Sequence, residues 1–464
     1  MNILILGASQ VGVSVAEVLV GEENDVTIVD INQQILQQLQ NRMDINTVVG
    51  SAAYPSVLRA AGAEDASLVL AVTNNDEVNL VACQIAETFF DTPTKIARIR
   101  SKEYLQHPEI FSKELTSRDL GFNVDVVISP EVIVKDHITR LIEFPGALQV
   151  LDFADGLVQL VGVKAVDGGA LLNCPLSELK RHMPGVETRV AAIYRNREII
   201  TPTSDTIIIE NDEVFFVAAR QHIRAIMQEM RGQSDKTKRI FIAGGGNIGL
   251  NLAKELENKG YSVKLVEMNP ARAEKIADEV DSTVVLNGDG ADARLLLQEN
   301  VEATDLFCAV TEKDEINILS ASLAKQLGAK RVMALVNRPA YLEHLDHQDI
   351  NVIISPRTAT IGSILAHIRR GDVVAVHSLR RGRAEAIEAI AHGDEESSKV
   401  VGKGVRDIPF PKGTGVGAIV RSGEVIIPDA QTIIEPEDHV IVFMDDKAYI
   451  PEVESLFHVA ATFI

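Results

Sequence analysis

Short apolar runs alternate along the chain with stretches whose apolar residues recur at helical spacing. Residues 2–6 (NILIL) and 239–243 (RIFIA) are largely apolar runs of the length of a parallel strand buried on both faces. Each empties into a glycine-bearing turn, and in the second instance helix-forming residues follow over 250–257. The later course of the chain repeats too. "LVLAVTNNDEVNLVACQIAE" over 68–87 matches "LFCAVTEKDEINILSASLAK" over 306–325 at an offset of 238 (306 − 68). "DVVISPEV" (125–132) matches "NVIISPRT" (351–358). Buried strand and amphipathic helix alternate through each copy, which predicts six strands and intervening helices per copy. That is an α/β fold with two Rossmann-like, doubly wound parallel sheets.

Behind each sheet the period changes. "VAAIYRNREIITPTSDTIIIENDEVFFVA" (190–218) aligns with "VGAIVRSGEVIIPDAQTIIEPEDHVIVFM" (416–444) at an offset of 226 (416 − 190). Apolar strands, a turn at Asn196 or Ser422-Gly423, and a polar turn before the last strand recur in both. Alternation of period two also marks "LVQLVGVKAV" and "RAEAIEAIAH". This pattern predicts a small α/β lobe of roughly 80–90 residues, a size at which a core is marginal and tends to need buttressing. The plan is therefore A-B-A-B: sheet domains over 1–130 and 238–356, lobes over 143–230 and 368–453, and a polar linker near 231–238. An intact duplication favours a symmetric or pseudosymmetric assembly.

Composition narrows the function classes. The 464 residues exceed what one core organises. No apolar run approaches the roughly 18–20 residues that span a bilayer. The N-terminus runs straight into a strand with no basic flank, so no signal peptide is expected. Cys83, Cys174 and Cys308 form no CxxC pair; each is expected to be a small buried hydrophobe, in keeping with a reducing compartment. A net charge of −21 argues strongly against nucleic acid and direct binding of anionic lipid as partners, and no direct membrane insertion is expected. Work at a membrane would need a partner to hold the protein there.

The candidate chemistry lies in the glycine turns. Gly244, Gly246 and Gly249 are spaced for a tight turn, for close backbone approach to a pyrophosphate, and for helix–strand packing. A second strand ends at Glu267, 18 residues past Gly249, where an acid would accept hydrogen bonds from a ribose diol. The first copy has Gly7 and Gly12, with Ser9 in the middle position and Asp30 again 18 residues on. Serine would keep the backbone N–H groups while adding a small side chain facing the pyrophosphate. The competing reading is a Rossmann-like sheet that has lost its ligand.

"GASQVG…VD", "TNNDEVN", "IARIR" and "ISPE", followed by "IITP…IEND", resemble the RCK (KTN) regulatory domains of potassium channels and transporters. The tandem arrangement resembles the peripheral subunits of bacterial potassium uptake systems within that family. The resemblance implies a non-catalytic gating protein that binds NAD(H) and responds to ATP and ADP. It implies a homo-oligomer, a tetramer, on a membrane-embedded potassium-translocating subunit at the cytoplasmic face of the inner membrane. Its phosphate loop falls on Gly7, Ala8, Ser9, Gln10, Val11 and Gly12, and on Gly244, Gly245, Gly246, Asn247, Ile248 and Gly249. The ribose acids fall on Asp30 and Glu267, and the loop after the fourth strand on Thr73-Asn74 and Thr311-Glu312. Arg98 resembles the family's phosphate-contacting basic residue; the second copy has Ala334 at the aligned place, with Arg338 further on.

The other function class is a nicotinamide-dependent oxidoreductase. Hydride transfer needs a substrate pocket with a proton donor or acceptor, and the small lobes offer neither a His–acid pair nor a nucleophile in motif context. His107 reads as a surface helix terminus. His344, Asp346 and His347 read as a solvated helix face rather than a metal site. The basic run over 369–383 reads as a solvated junction or a contact with an acidic partner.

Overall fold

The computed structural model describes residues 1–21, 24–111, 121–196, 198–231, 237–338, 340–341, 350–368, 373–379 and 384–459. His344, Asp346, His347, most of the linker and much of the 369–383 run lie outside them.

The first sheet domain is built from β1 (Asn2–Leu6), α1 (Gln10–Val20), β2 (Asp25–Asp30), α2 (Gln33–Gln40), β3 (Asn46–Val49), α3 (Pro55–Ala60), β4 (Leu68–Ala71), α4 (Asp76–Phe90), β5 (Thr94–Arg98), α5 (Lys102–Leu105) and β6 (Val126–Ile128). The strands are parallel in the order β3-β2-β1-β4-β5-β6. Residues 3–6 and 68–71 are buried throughout, as central strands covered on both faces require. Helix starts are capped by short polar side chains: Asn32 accepts from Gln34 N and Ile35 N, and Asn75 accepts from Val78 N at 2.7 Å. Each such cap is worth about 1 kcal/mol.

A long helix, α6 (Pro130–Glu143), leads into the first lobe: β7 (Ala147–Phe153), β8 (Val158–Lys164), α7 (Leu179–His182), β9 (Thr188–Arg195), β10 (Glu198–Ile200), β11 (Glu213–Ala219) and α8 (Ile223–Arg231). Its five strands are antiparallel in the order β10-β9-β11-β8-β7.

The second half repeats the plan. Its sheet domain comprises β12 (Arg239–Ala243), α9 (Asn247–Asn258), β13 (Ser262–Glu267), α10 (Pro270–Glu279), β14 (Val284–Asn287), α11 (Ala293–Gln298), β15 (Leu306–Ala309), α12 (Asp314–Gln326), β16 (Val332–Leu335) and β17 (Val352–Ile354). After α13 (Pro356–Leu365) come β18 (Val373–Leu379), β19 (Ala384–Ala391), β20 (Thr414–Arg421), β21 (Glu424–Ile426), β22 (Asp438–Met444) and α14 (Ile450–Phe457). The sheet orders are β14-β13-β12-β15-β16-β17 and β18-β19-β22-β20-β21.

The chain divides into two compact units that do not follow the halves. Residues 1–131 take 357–369 into their unit, and there Arg357 Nη2 on α13 meets Glu17 Oε2 on α1 at 2.8 Å. The other unit holds 132–356 and 370–464. In it, α6 lies on α9 through Lys135–Glu255 (2.6 Å) and Glu143–Lys259 (2.8 Å), and Val134 and Ile138 share a core with Ile240 and Leu252. Each sheet domain is thus covered by the helix that follows the other one. The two lobes, both in this unit, also buttress each other. Gln149 Nε2 donates to Ser378 O (2.9 Å), Ala154 N to Glu388 Oε2 (2.7 Å), and Arg189 to Val416 O (2.6 Å) and to Pro428 O. Phe153, Tyr194, Phe215, Ile441 and Phe443 fill the apolar layer between them.

Candidate functional site

In both sheets the chain runs outward from the central strand, then returns on its other side. The loops therefore part above the C-terminal ends of β1/β4 and of β12/β15, where ligands bind in open parallel sheets. The glycine turns close these crevices by backbone contact. Gly7 has φ +109°, and a Cβ there would sit 2.8 Å from Thr73 N; Gly244 has φ +116° and faces Thr311 N at 3.0 Å. A Cβ on Gly12 or Gly249 would lie 2.2 or 1.9 Å from the carbonyl oxygen of Gly7 or Gly244. These four glycines serve the fold itself.

The middle position separates the copies. At Gly246, φ is −66° and a Cβ would meet nothing within 4 Å, so the fold does not require glycine there. At Ser9 the hydroxyl is held by the fold: Oγ donates to Val72 O (2.8 Å), just past β4, and accepts from Gly12 N (3.3 Å), capping α1. Of the backbone N–H groups that serine was expected to keep for phosphate, that of Gly12 is taken up by this cap. Gln10 and Val11, and Asn247 and Ile248, open α1 and α9.

Both acids stand where the spacing places them and grip the turn. Asp30 accepts from Ala8 N (2.7 Å) and Asn32 N (2.8 Å); Glu267 accepts from Gly245 N (2.9 Å) and Asn269 N (2.8 Å). Each carboxylate oxygen retains acceptor capacity for a further donor. Beside them Ile31 and Met268 are 76 % and 73 % exposed, apolar surface that the motif alone did not single out.

A second pair of residues missed by motif reading braces the opposite wall. Asn79 Oδ1 accepts from Thr73 N (3.0 Å) and Thr73 Oγ1 (2.6 Å), while its Nδ2 donates to Arg98 O (2.9 Å). Asn317 repeats this with Thr311 (2.8 and 2.7 Å) and Leu335 O (3.0 Å). Both asparagines are fully buried. Asp76 accepts from Arg100 N and Ser101 N (2.8 and 2.7 Å), and Asp314 from Asn337 N and Arg338 N (3.0 and 2.9 Å). The available signal was the T-x-x-D-E-x-N pattern common to both copies. Asn74 and Glu312 are exposed in the intervening loop.

Arg98 ends β5 and is 6 % exposed; its buried Nε has no hydrogen-bond partner, and no described carboxylate pairs with it. Burial, then the neighbouring Arg100, pulls its guanidinium below the ordinary arginine value, and Glu131 and Asp76 oppose the shift. Sheet register corrects the expected counterpart in the second copy. Ala71 pairs with Ala97, and its equivalent Ala309 pairs with Ala334. Arg98 therefore corresponds to Leu335, not Ala334. The offset falls from 238 (309 − 71) to 237 (334 − 97) between the fourth and fifth strands, so the connection from α12 into β16 is one residue shorter. Arg338 corresponds to Ser101 and is exposed, pairing with Glu315 at 2.8 Å.

Cys83 and Cys308 are fully buried, and burial pushes both thiols up to about 12. Cys174 departs from the expectation: it is half-buried. His107 sits at the surface beside Glu109 (2.9 Å), just past α5.

Two such crevices, each on a doubly wound sheet and each followed by an antiparallel lobe, define a tandem nucleotide-fold regulatory protein. The TrkA-N domain model matches residues 3–130 and 240–356, and the TrkA-C domain model matches 160–231 and 395–458. The chain is 54 % identical to the Trk system potassium uptake protein TrkA of Halomonas elongata, 52 % to that of Vibrio alginolyticus and 46 % to that of Haemophilus influenzae, covering 100 % of both chains each time. This chain belongs to the TrkA family of Trk system potassium uptake proteins. Its fold is that of the GsuK RCK domain crystal structure (TM-score 0.60, 16 % identity, 98 % of this chain and 94 % of that one). The GsuK channel bound to NAD is similar at TM-score 0.60 and 16 % identity, over 98 % of this chain and 78 % of that one.

Proposed function

We propose that this chain is the nucleotide-responsive regulatory subunit of a Trk system, gating a membrane-embedded potassium-translocating subunit from the cytoplasmic face of the inner membrane. The observation that carries the reading is the duplicated crevice, with the buried Arg98 Nε left without a hydrogen-bond partner in the first copy, on a chain that matches its relatives end to end. The residues fit a dinucleotide or adenine nucleotide. The turns at Gly7–Gly12 and Gly244–Gly249 aim helix N-termini at phosphate. Asp30 and Glu267 take the ribose hydroxyls with their remaining lone pairs, and Ile31 and Met268 offer apolar surface to a purine. Thr73-Asn74 and Thr311-Glu312 line the opposite rim. Arg98 supplies a full positive charge at the phosphate end in the first copy alone. A bound nucleotide contributes phosphate charge and a ribose diol. All discrimination between NAD+ and NADH, or between ATP and ADP, comes from how this chain's two conformations differ in affinity for it.

The protein acts as a homotetramer and has no catalytic turnover. Both buried thiols stay protonated far above neutral pH, so neither serves as a nucleophile. No helix among the described residues is long and apolar enough to cross a membrane, and the partner supplies the anchorage. Native mass spectrometry of the purified protein tests the ligand and the oligomer together. Bound NAD(H) or adenine nucleotide is expected, as is nucleotide-dependent potassium flux in vesicles carrying the translocating subunit. Flux indifferent to both nucleotide classes, or multiple-turnover oxidation of NADH with a carbonyl substrate, overturns the proposal.

A further inference from the structure

We propose that Cys174, Glu178 and His182 form a binding site for a zinc-class divalent ion in the first lobe. One thiol, one carboxylate and one imidazole offer ligand atoms that all lie within 4.8 Å of one another, and all three residues are half-buried. Glu178 Oε2 and His182 Nε2 are 3.9 Å apart. Tetrahedral zinc with bonds of about 2.0–2.1 Å would hold them about 3.3 Å apart, so rotamer adjustments of roughly an ångström close the set. A mixed S, N and O donor set suits a borderline ion and disfavours magnesium or calcium, which take oxygen. Three protein ligands leave the fourth position to water.

The backbone keeps the three residues together. Asn173 turns at φ +60° immediately before Cys174. Its N–H donates to Ile208 O (2.8 Å), Leu176 N to Thr206 O (2.9 Å) and Ser177 N to Ser204 O (2.9 Å). A single turn of 3-10 helix (Leu176–Glu178) then runs into α7, bringing Glu178 and His182 onto one face at i,i+4. Neither helical turn has a side-chain cap, so a metal across 174–182 would staple a segment with little local support of its own.

The second lobe is an internal control. There Gly402 N donates to Ile434 O (2.8 Å), Val405 N to Thr432 O (3.0 Å) and Arg406 N to Ala430 O (3.2 Å). This ladder places Lys403 opposite Cys174 and Asp407 opposite Glu178. Lys403 Nζ instead donates to Lys399 O (2.8 Å). At this position, among the described residues, duplication has thus left a donor set in the first lobe and not in the second.

Binding replaces the thiol proton by a metal–sulfur bond, and that proton passes to the buffer. The test uses the full-length, tag-free chain stripped with chelator. Zinc calorimetry is expected to give one site per chain, with a heat that varies with the buffer's ionisation enthalpy. Cobalt is expected to give a thiolate-to-metal charge-transfer band. Cys174→Ser and His182→Ala should each lower zinc affinity beyond the roughly 10- to 100-fold typical of outer-shell losses, and Glu178→Gln by less, with nucleotide affinity unchanged in all three. An absent cobalt band in the unaltered protein overturns the proposal whatever the variants do. So does zinc affinity undiminished by Cys174→Ser.

Discussion

The two crevices share a frame and differ in charge. Glycine turn, acid, asparagine brace and aspartate clamp recur with the same partners, because each satisfies backbone groups that the sheet topology exposes in both copies. Elsewhere the copies have separated: Ser9 against Gly246, Arg98 against Leu335, Arg100 against Asn337. Even Lys95, buried in the first sheet between Glu87 (2.8 Å) and Asp125 (2.9 Å), has Val332 as its counterpart. The copies therefore share what holds the crevice open and differ in the charged side chains around it.

The comparison is tested hardest by removing the shared brace. Asn79→Leu and Asn317→Leu each orphan a buried N–H and a buried carbonyl, at roughly 1–3 kcal/mol apiece. Each is expected to cost its own sheet domain about 2–5 kcal/mol, read as lost amide protection by hydrogen exchange. A large effect in only one copy would break the claim of a common frame.

Selectivity comes next. Arg98→Ala should weaken ATP binding by about 1.5–3 kcal/mol, the range for a hydrogen bond to a charged group, and NAD+ binding by less. Glu267→Ala should leave the ATP response of potassium flux largely intact. The reverse pattern would place adenine-nucleotide sensing in the second copy. Asp30→Ala should lower NAD(H) affinity by a similar 1.5–3 kcal/mol. It also releases Ala8 N–H, so calorimetry should be paired with exchange at that amide. NADP(H) bound as tightly as NAD(H) by the unaltered protein would contradict the assignment of the acids.

Smaller effects separate fold from ligand at the middle position. Ser9→Ala removes a cap and should cost about 1 kcal/mol of stability. Gly246→Ala should not destabilise the protein and should raise its stability by up to about 1 kcal/mol, since the new methyl meets nothing and φ is ordinary. It should still weaken nucleotide binding in the second crevice. A loss of thermal stability from Gly246→Ala as large as that from Ser9→Ala would refute this division.

The first lobe's entry helix and the second lobe carry a pH dependence. Burial, then Arg140, pulls His137 down to about 4, and burial pulls His377, bonded to Asp152 O at 3.0 Å, to about 4 as well. Both are neutral in the fold and charge in the unfolded chain below about 6.5. Their contribution is whole above pH 6.5 and is lost progressively as pH falls towards 4. Denaturation midpoints should decline over that window, and His377→Gln should flatten the decline. A slope unchanged by that substitution would assign the acid sensitivity elsewhere.

Legibility in the sequence followed how local each constraint is. Gly7 and Gly244 announce themselves because a positive φ is a property of one residue, and Asp30 and Glu267 because strand–helix–strand length sets their distance from the turn. The partner of Arg98 was misplaced by one, since a single-residue shortening before β16 is invisible until strand pairing sets the register. Asn79 and Asn317 look like polar helix positions on paper; only the fold buries them against a carbonyl 18 or 19 residues away.

The sequence by itself determined the duplication, the parallel sheets, the strand-rich small lobes, and the turns and acids of both crevices, all written in periodicity and short spacings. The tertiary structure alone decided that α6 lies on α9 while α13 lies on α1, and that the lobes share one apolar layer. It alone tied the Ser9 hydroxyl to Val72 O and drew a thiol towards an imidazole eight residues on. These depend on which surfaces are buried against which, and hydrophobic patterning states that a face will be covered without stating by what.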